Sequence, residues 1–250
     1  TSDSDKGKLA ELCSVDAKTR KLVHMVINKD AKCGFGAKTI NKARPDTVYE
    51  EPYMRCSTEK KIDRIVYPCF AQQKADGMFL NIKVHKSGKM EFISRNGKKI
   101  YQLYRLKKML RKRIPEKYRG IVIHGELLIK KKGKILDRQT GNGILNSCLS
   151  NTAEQKEADC AIIKIWDVVT MKAYYEHSFE LSYEKRYKRC KKLVKLVNQA
   201  RFQLIRTEIV NSFKEAEAFY KMIRKTGGEG AIIKNFTLKW KYHTATEAIK

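Results

Sequence analysis

Apolar residues fall into two kinds of pattern along this chain. From 9 to 43 they are sparse, and Leu22, Val23, Val26 and Ile27 recur at helical spacing, which predicts short helices. From about residue 60 onward, short dense apolar runs alternate with longer amphipathic ones. The runs 79–84 and 89–93 predict antiparallel strands joined around Ser87-Gly88. Residues 121–129, 161–169 and 201–210 predict further strands, and 231–234 a last buried one. Residues 102–112 and 181–197 predict basic helices, and Ser212-Phe213-Lys214-Glu215 is a capping box opening a helix to about Lys225. The polar, charged residues 1–8 suggest a frayed end, and 44–58, with Pro45 and Pro52 and no period, suggest a linker. There is no internal repeat.

Composition narrows the partners. The chain has 250 residues, 42% of them hydrophobic, enough to bury a core. No window approaches the ~20 apolar residues of a membrane span, and the start lacks a secretory pattern, so no membrane role is expected. Lys and Arg number 54 against 27 acids, a net charge of +27, which points to a polyanion, nucleic acid first. An anionic membrane surface would need an amphipathic anchor that the sequence does not show. The seven cysteines form no C-x-x-C pair, which argues against a zinc cluster. Cys69 and Cys160 lie in apolar runs, consistent with free thiols in a reducing cytoplasm. The histidines are dispersed, and none is expected to bind metal.

Several segments could carry chemistry. Lys74-Ala75-Asp76-Gly77 places a lysine two residues before a tight turn, with strand-like runs on both sides. Period-2 geometry puts Lys74 and Asp76 on one side. Burial beside other cations would depress the lysine pKa and make the amine a nucleophile; a surface lysine beside a hairpin fits the same letters. Glu126 interrupts the apolar run 121–129, at a cost unless it binds something, and Gly125 would let a ligand approach the backbone. A half-exposed strand would also explain it. Glu229 sits among Gly227, Gly228 and Gly230, where it could hold Mg²⁺ or orient a lysine, or merely follow a helix C-cap. Lys239-Trp240-Lys241 puts two ammoniums on one face, suited to a phosphate. The segment from Lys32 through Gly34, Gly36 and Lys38 is a Gly-rich turn entering a helix, which could hold a phosphate or simply join two helices.

In order, these segments resemble the motifs of the covalent nucleotidyltransferase superfamily of DNA ligases, RNA ligases and mRNA-capping enzymes. Lys74–Gly77 resembles K-x-D-G, Ser94-Arg95 the Ser-Arg motif, and His124-Gly125-Glu126 the D-G-E motif. Ile165-Trp166-Asp167 resembles the aromatic-Asp strand, Glu229 to Lys234 E-G-x-x-x-K, and Lys239 with Lys241 the closing K-x-K. Within the superfamily the chain is most similar to the T-even phage type of ATP-dependent DNA ligase, through Met78-Phe79 after the first motif, the segment 138–144, and 37–43 as the end of a helical DNA-binding domain. Phe79 stands where an Arg is usual, and His124 where an Asp is usual.

The resemblance implies an α+β nucleotidyltransferase fold of ATP-grasp-like antiparallel sheets flanked by helices. It implies residues 1–58 as the end of a helical DNA-binding domain plus linker, and 59–250 as the adenylation domain, with no room for the OB-fold domain that usually follows. Lys74 would attack the α-phosphate of ATP, carry AMP, and pass it to the 5′-phosphate of nicked double-stranded DNA, as in replication, repair and recombination. Gln72, Arg95, Glu126, Trp166, Lys234, Lys239 and Lys241 would contact the nucleotide. Glu229 and Asp76 would bind Mg²⁺, and Lys32, Gly34, Gly36, Lys38 and Lys42 would contact DNA. The expected form is a monomer in the cytoplasm, of the host if viral. The alternatives are an RNA ligase, a capping guanylyltransferase, or a catalytically silent basic nucleic-acid-binding module.

Overall fold

The computed structural model describes residues 3–27, 36–45 and 47–250, and the chain divides into two compact units, Thr1–Glu50 and Glu51–Lys250. The first unit holds α1 (Asp3–Val15), α2 (Ala17–Ile27) and α3 (Ala37–Ala43). Helix begins at Asp3, where the sequence suggested a frayed end. Asp16 opens α2 by accepting from the backbone N–H groups of Lys18 at 2.7 Å and Thr19 at 2.9 Å. The Asn41 amide both donates to and accepts from the Val48 backbone, fixing the chain beyond α3.

The second unit runs β1 (Arg55–Ser57), β2 (Cys69–Lys74), β3 (Met78–Val84), β4 (Met90–Ser94), α4 (Tyr104–Arg113), β5 (Ile121–Lys131), β6 (Lys134–Ile135), α5 (Arg138–Ser150), α6 (Gln155–Ala158), β7 (Ala161–Thr170), α7 (Met171–Tyr175), β8 (Ser178–Phe179), α8 (Tyr183–Val197), β9 (Phe202–Leu204), β10 (Thr207–Val210), α9 (Phe213–Lys225), β11 (Gly230–Asn235), β12 (Trp240–Lys241) and β13 (Thr244–Ile249). The strands form one sheet ordered β1-β13-β11-β2-β10 and another ordered β4-β3-β5-β7-β9, with β6 on β5 and a separate β8-β12 ladder.

Alternation along the strands decides what each face meets. In the first sheet Cys69, Ala71 and Ile249 join Ala216, Phe219 and Ile223 of α9 in one apolar cluster. Phe70, on the opposite face of β2, packs instead with Tyr183 and Tyr187 of α8 and with Ala245 and Ala248 of β13. In the second sheet Leu80, Ile82, Ile123, Leu127, Ile163 and Ile165 form the main core with apolar residues of α4, α5 and α8. Lys74 and Lys234 of the first sheet, on the Phe70 face beyond the reach of most of α8, and Phe79, Glu126 and Trp166 from the helix-free face of the second line one cleft.

Three features of this unit differ from the sequence reading, and one element, α5, was not anticipated by it. Residues 51–58 are not a linker, because β1 pairs in parallel with β13. The single strand expected over 201–210 is two: β9 lies parallel to β7, and β10 lies antiparallel to β2 in the other sheet. Strand β11 is not the last, since β12 and β13 follow. Helix α5 forms despite Gly141 and Gly143, capped by Asp137, which accepts from Thr140 N–H, and closed by left-handed Asn151 at φ 58°. No helix among the described residues is long and apolar enough to cross a membrane.

Candidate active site

The cleft, of about 570 Å³, opens between the two sheets. Lys74 ends β2 opposite Gly230 of β11, and its Nζ donates to Glu229 Oε1 from the adjoining turn. Burial pulls the Lys74 ammonium below its ordinary pKa; Asp76 and Glu126 oppose this, while Lys250 and Arg138 add to it. Asp76, just past the strand, lies 3.1 Å from Arg138 at the start of α5. Gly77 must be glycine: a Cβ there would fall 2.0 Å from the Leu127 carbonyl oxygen. That close approach lets the Gly77 N–H reach the Glu126 carboxylate.

Glu126 projects from β5 directly across from Phe79 of β3. Its burial pushes the carboxyl up to about 8, against the pull of the Gly77 N–H and Lys74. Gly125 has a different purpose from the one the sequence suggested. A Cβ there would meet Ile163 and the Lys164 carbonyl at 2.9 Å, so glycine is required by packing against β7 rather than by ligand approach.

The aromatic wall is Tyr53, Phe79 and Trp166. Tyr53 meets Phe79 edge-on with centroids 4.8 Å apart, and Phe79 lies 6.0 Å from Trp166. The Arg95 guanidinium, at the end of β4, sits 4.5 Å over the Tyr53 ring. Lys234 is buried behind Trp166; its ammonium donates to Tyr183 Oη at 3.2 Å, and burial lowers its pKa. The same hydroxyl lies 2.7 Å from Gln72 Oε1 and 2.8 Å from the Trp166 carbonyl, and Gln72 Nε2 donates to Thr207 at 3.0 Å. The Gln72 side chain therefore braces the wall, with its amide already engaged. Asp167, beside Trp166, is also structural: Arg186 binds it through Nε at 2.8 Å and Nη2 at 3.1 Å. Burial alone would raise the Asp167 carboxyl, but Arg186 outweighs it and holds the pKa below the usual range.

A half-buried lysine with a lowered pKa, flanking carboxylates, an aromatic slot and further cations thus converge in one cleft. The ATP dependent DNA ligase domain family model matches residues 53–248, which include nearly all of it. The chain belongs to this family. It is 30% identical over 255 residues to the DNA ligase of Enterobacteria phage T4, covering 88% of this chain and 52% of that protein, so it spans about half the length of that relative. Among solved structures it resembles the chain designated Pmar-Lig_Pre, at TM-score 0.69 and 18% identity over 91% of this chain and 53% of that one. It also resembles the ATP-dependent DNA ligase from bacteriophage T7 in complex with ATP, at TM-score 0.62 and 19% identity over 80% and 68%.

In this member of the family not every expected residue reaches the cleft. Lys74, Asp76, Arg95, Glu126, Trp166, Glu229, Lys234 and Gln72 all line it. Lys239 and Lys241 do not: Lys239 is exposed and pairs with Glu180, and Lys241 pairs along β8. Between them Trp240 is buried, stacked 5.7 Å from His124, and that anchoring turns both lysines outward. The lysine that does enter is Lys250, beyond β13, whose N–H bonds the Ser57 carbonyl at 3.0 Å. Sequence reading passed over it because Lys239-Trp240-Lys241 offered the more obvious pair. It also missed Tyr53, inside the supposed linker, and Arg138. His124 is buried with Nδ1 2.7 Å from Asn81 Oδ1, and burial lowers its pKa to about 4, so the ring is neutral. Among the DNA-contact candidates, Gly36 is the N-cap of α3, and Lys38 and Lys42 fall within that helix; Lys32 and Gly34 lie outside the described residues.

Proposed function

We propose that this chain seals nicks in double-stranded DNA through a lysyl-AMP intermediate. The observation that carries the reading is Lys74, half-buried and held at Nζ by Glu229 inside a cleft with an aromatic slot and additional cations. Neutral Lys74 Nζ attacks the α-phosphorus of ATP. The P–N bond forms, the bond to the bridging oxygen breaks, and pyrophosphate leaves. Glu229 Oε1 is the base nearest the Nζ proton. A 5′-phosphate oxygen of the nick then attacks the adenylate phosphorus and releases Lys74, and the 3′-hydroxyl displaces AMP to close the strand. Trp166 and Phe79 supply apolar faces for the base, and Glu126, protonated at neutral pH, can donate to a ribose oxygen. Lys250 and Arg95 supply positive charge for the phosphates, and Lys234 adds to it from behind the aromatic wall.

Mg²⁺ fits the donor set. No group of three or more candidate ligands occurs among the described residues, and Mg²⁺ commonly uses one or two carboxylates plus substrate phosphates. Glu229 and Asp76 would hold it, and it would supply neutralisation of phosphate charge. The helical unit, through Lys32, Lys38 and Lys42 with Gly34 and Gly36, is the proposed additional DNA contact.

The test is covalent labelling with α-³²P ATP or GTP and Mg²⁺, resolved by denaturing electrophoresis. ATP labels the wild type; Lys74→Ala loses the band, and Lys250→Ala slows labelling by about 10-fold, roughly 1.4 kcal/mol of lost phosphate stabilisation. The Lys239→Ala, Lys241→Ala double variant labels within about twofold of wild type, since that is under 0.5 kcal/mol. Labelling by GTP instead of ATP, or an equal band from Lys74→Ala, overturns the reading.

A further inference from the structure

A second cavity, of about 410 Å³, lies at the edge of the second sheet and shares no residue with the cleft. Its lining includes Met90 and Phe92 of β4, Lys89 and Lys99 beside that strand, and Lys107 and Arg111 of α4. Its one acid, Glu91, is already engaged. His85 Nε2 lies 2.7 Å and Lys99 Nζ 2.8 Å from it, and Lys89 follows at 3.6 Å. The Lys99 and His85 contacts overcome burial and hold its carboxyl near 2. Lys107 and Arg111 stand one helical turn apart; Glu91, engaged by Lys99 and His85, acts on Lys107 only as a weaker opposing charge. Burial lowers the Lys107 ammonium, and the nearby Arg111 guanidinium pushes the same way. Cations crowded round a partly dry cavity repel one another, and the cost is relieved when an anion sits among them.

The basic surface continues past the cavity. Helix α4 carries six basic residues and no acid, and α8, which packs beside it, exposes six basic residues and carries one acid, its seventh cation Arg186 being buried. A single small anion needs no such track; a polymer of phosphates does. Strand β4 also links the cavity to the cleft, with Met90 at one end and Ser94 at the other, about 13 Å apart at the usual rise per residue.

We propose that the α4 cavity, through Lys107 and Arg111, is a second phosphate-binding site that holds the backbone of duplex DNA away from the nick. This rests on the DNA reading above. It adds a contact that senses phosphate rather than strand ends, so it grips intact and nicked duplex alike.

The experiment measures fluorescence anisotropy of nicked and intact duplexes of equal length across a salt series, for the 250-residue chain and the Lys107→Ala, Arg111→Ala double variant. At about 0.9 per phosphate contact, the log–log salt slope falls by about 1.8 on both duplexes. The charge-retaining Lys107→Arg, Arg111→Lys pair keeps the wild-type slope, which excludes a folding defect. ATP labelling of Lys74 is unchanged in both variants. An unchanged slope in the alanine variant overturns the proposal and leaves an acidic polypeptide as the occupant. A loss confined to the nicked duplex also overturns it, because the residues would then belong to the catalytic footprint. Failure of the DNA ligase reading shows separately, as absence of the Lys74 adduct in the wild type.

Discussion

Glu126 is where burial and charge conflict most directly. Its pKa of about 8 in the folded protein exceeds its ordinary value of 4.5. Between those values the unfolded chain carries the charge and the folded chain resists it, so this residue's contribution to stability falls as pH rises from about 4.5 to 8. Glu126→Gln removes the conflict. Thermal unfolding of the two proteins should diverge across pH 5–8, the variant gaining about 2 kcal/mol, or roughly 5 °C for a chain of this size. Parallel curves would mean that Lys74 keeps Glu126 ionised. The residue was legible because an acid within the apolar run 121–129 demands a reason. Lys74 was legible for the turn that follows it. Lys250 was not, since nothing local distinguishes one more lysine in a chain of +27; only β13, by pairing with β11, carries it to the cleft. Gln72 was half-legible: its place in the cleft wall follows from strand alternation, but its engagement by Tyr183 and Thr207 comes from elements more than 100 residues away in sequence.

At the scale of elements, α4, α8 and α9 follow from helical periodicity, whereas β3, β5 and β7 follow from dense apolar runs, because they are buried on both faces. The capping box of α9 is real but skewed: Ser212 Oγ accepts from Glu215 N–H at 3.2 Å, whereas Glu215 reaches back to Asn211 N–H at 2.8 Å. The missed elements lack such a signal. Strand β1 has three residues and exists only as a partner of β13, and α5 holds two glycines that lower its propensity. Gly125 tests whether β5 and β7 need their close approach. Gly125→Ala should destabilise the protein by about 2 kcal/mol in urea unfolding, as expected for forced overpacking. A cost below about 0.5 kcal/mol would return Gly125 to the ligand-approach role that the sequence suggested.

Across the nucleotidyltransferase unit as a whole, one buried cation joins three regions. Arg186 of α8 binds Asp167 of β7 and donates to the Leu181 and Leu238 carbonyls, with no exposure of its own. Removing it strands a buried carboxylate, so Arg186→Ala should cost about 3–5 kcal/mol in urea unfolding. An Arg186→Met, Asp167→Leu pair, which deletes both charges, should recover most of that loss. Recovery of none would show that the carbonyl contacts, rather than the ion pair, hold the regions together. Sequence could not announce this tie, because its partners are spread from 167 to 238 and each looks ordinary alone.

The passage from β9 to β10 has a mechanical consequence. Ile205 N–H bonds the Ile165 carbonyl in one sheet, and the carbonyl of the very next residue, Arg206, accepts from Gln73 N–H in the other, both at 2.9 Å. The two cleft walls are therefore stitched together along one edge, like the covers of a book sewn to its spine. A second stitch crosses at residues 75–77, which join β2 of one sheet to β3 of the other, and there Asp76 is tied to Arg138 at 3.1 Å, so the covers resist sliding along each other. Lys74 and Trp166, each within two residues of the stitching, keep their alignment however wide the pages open.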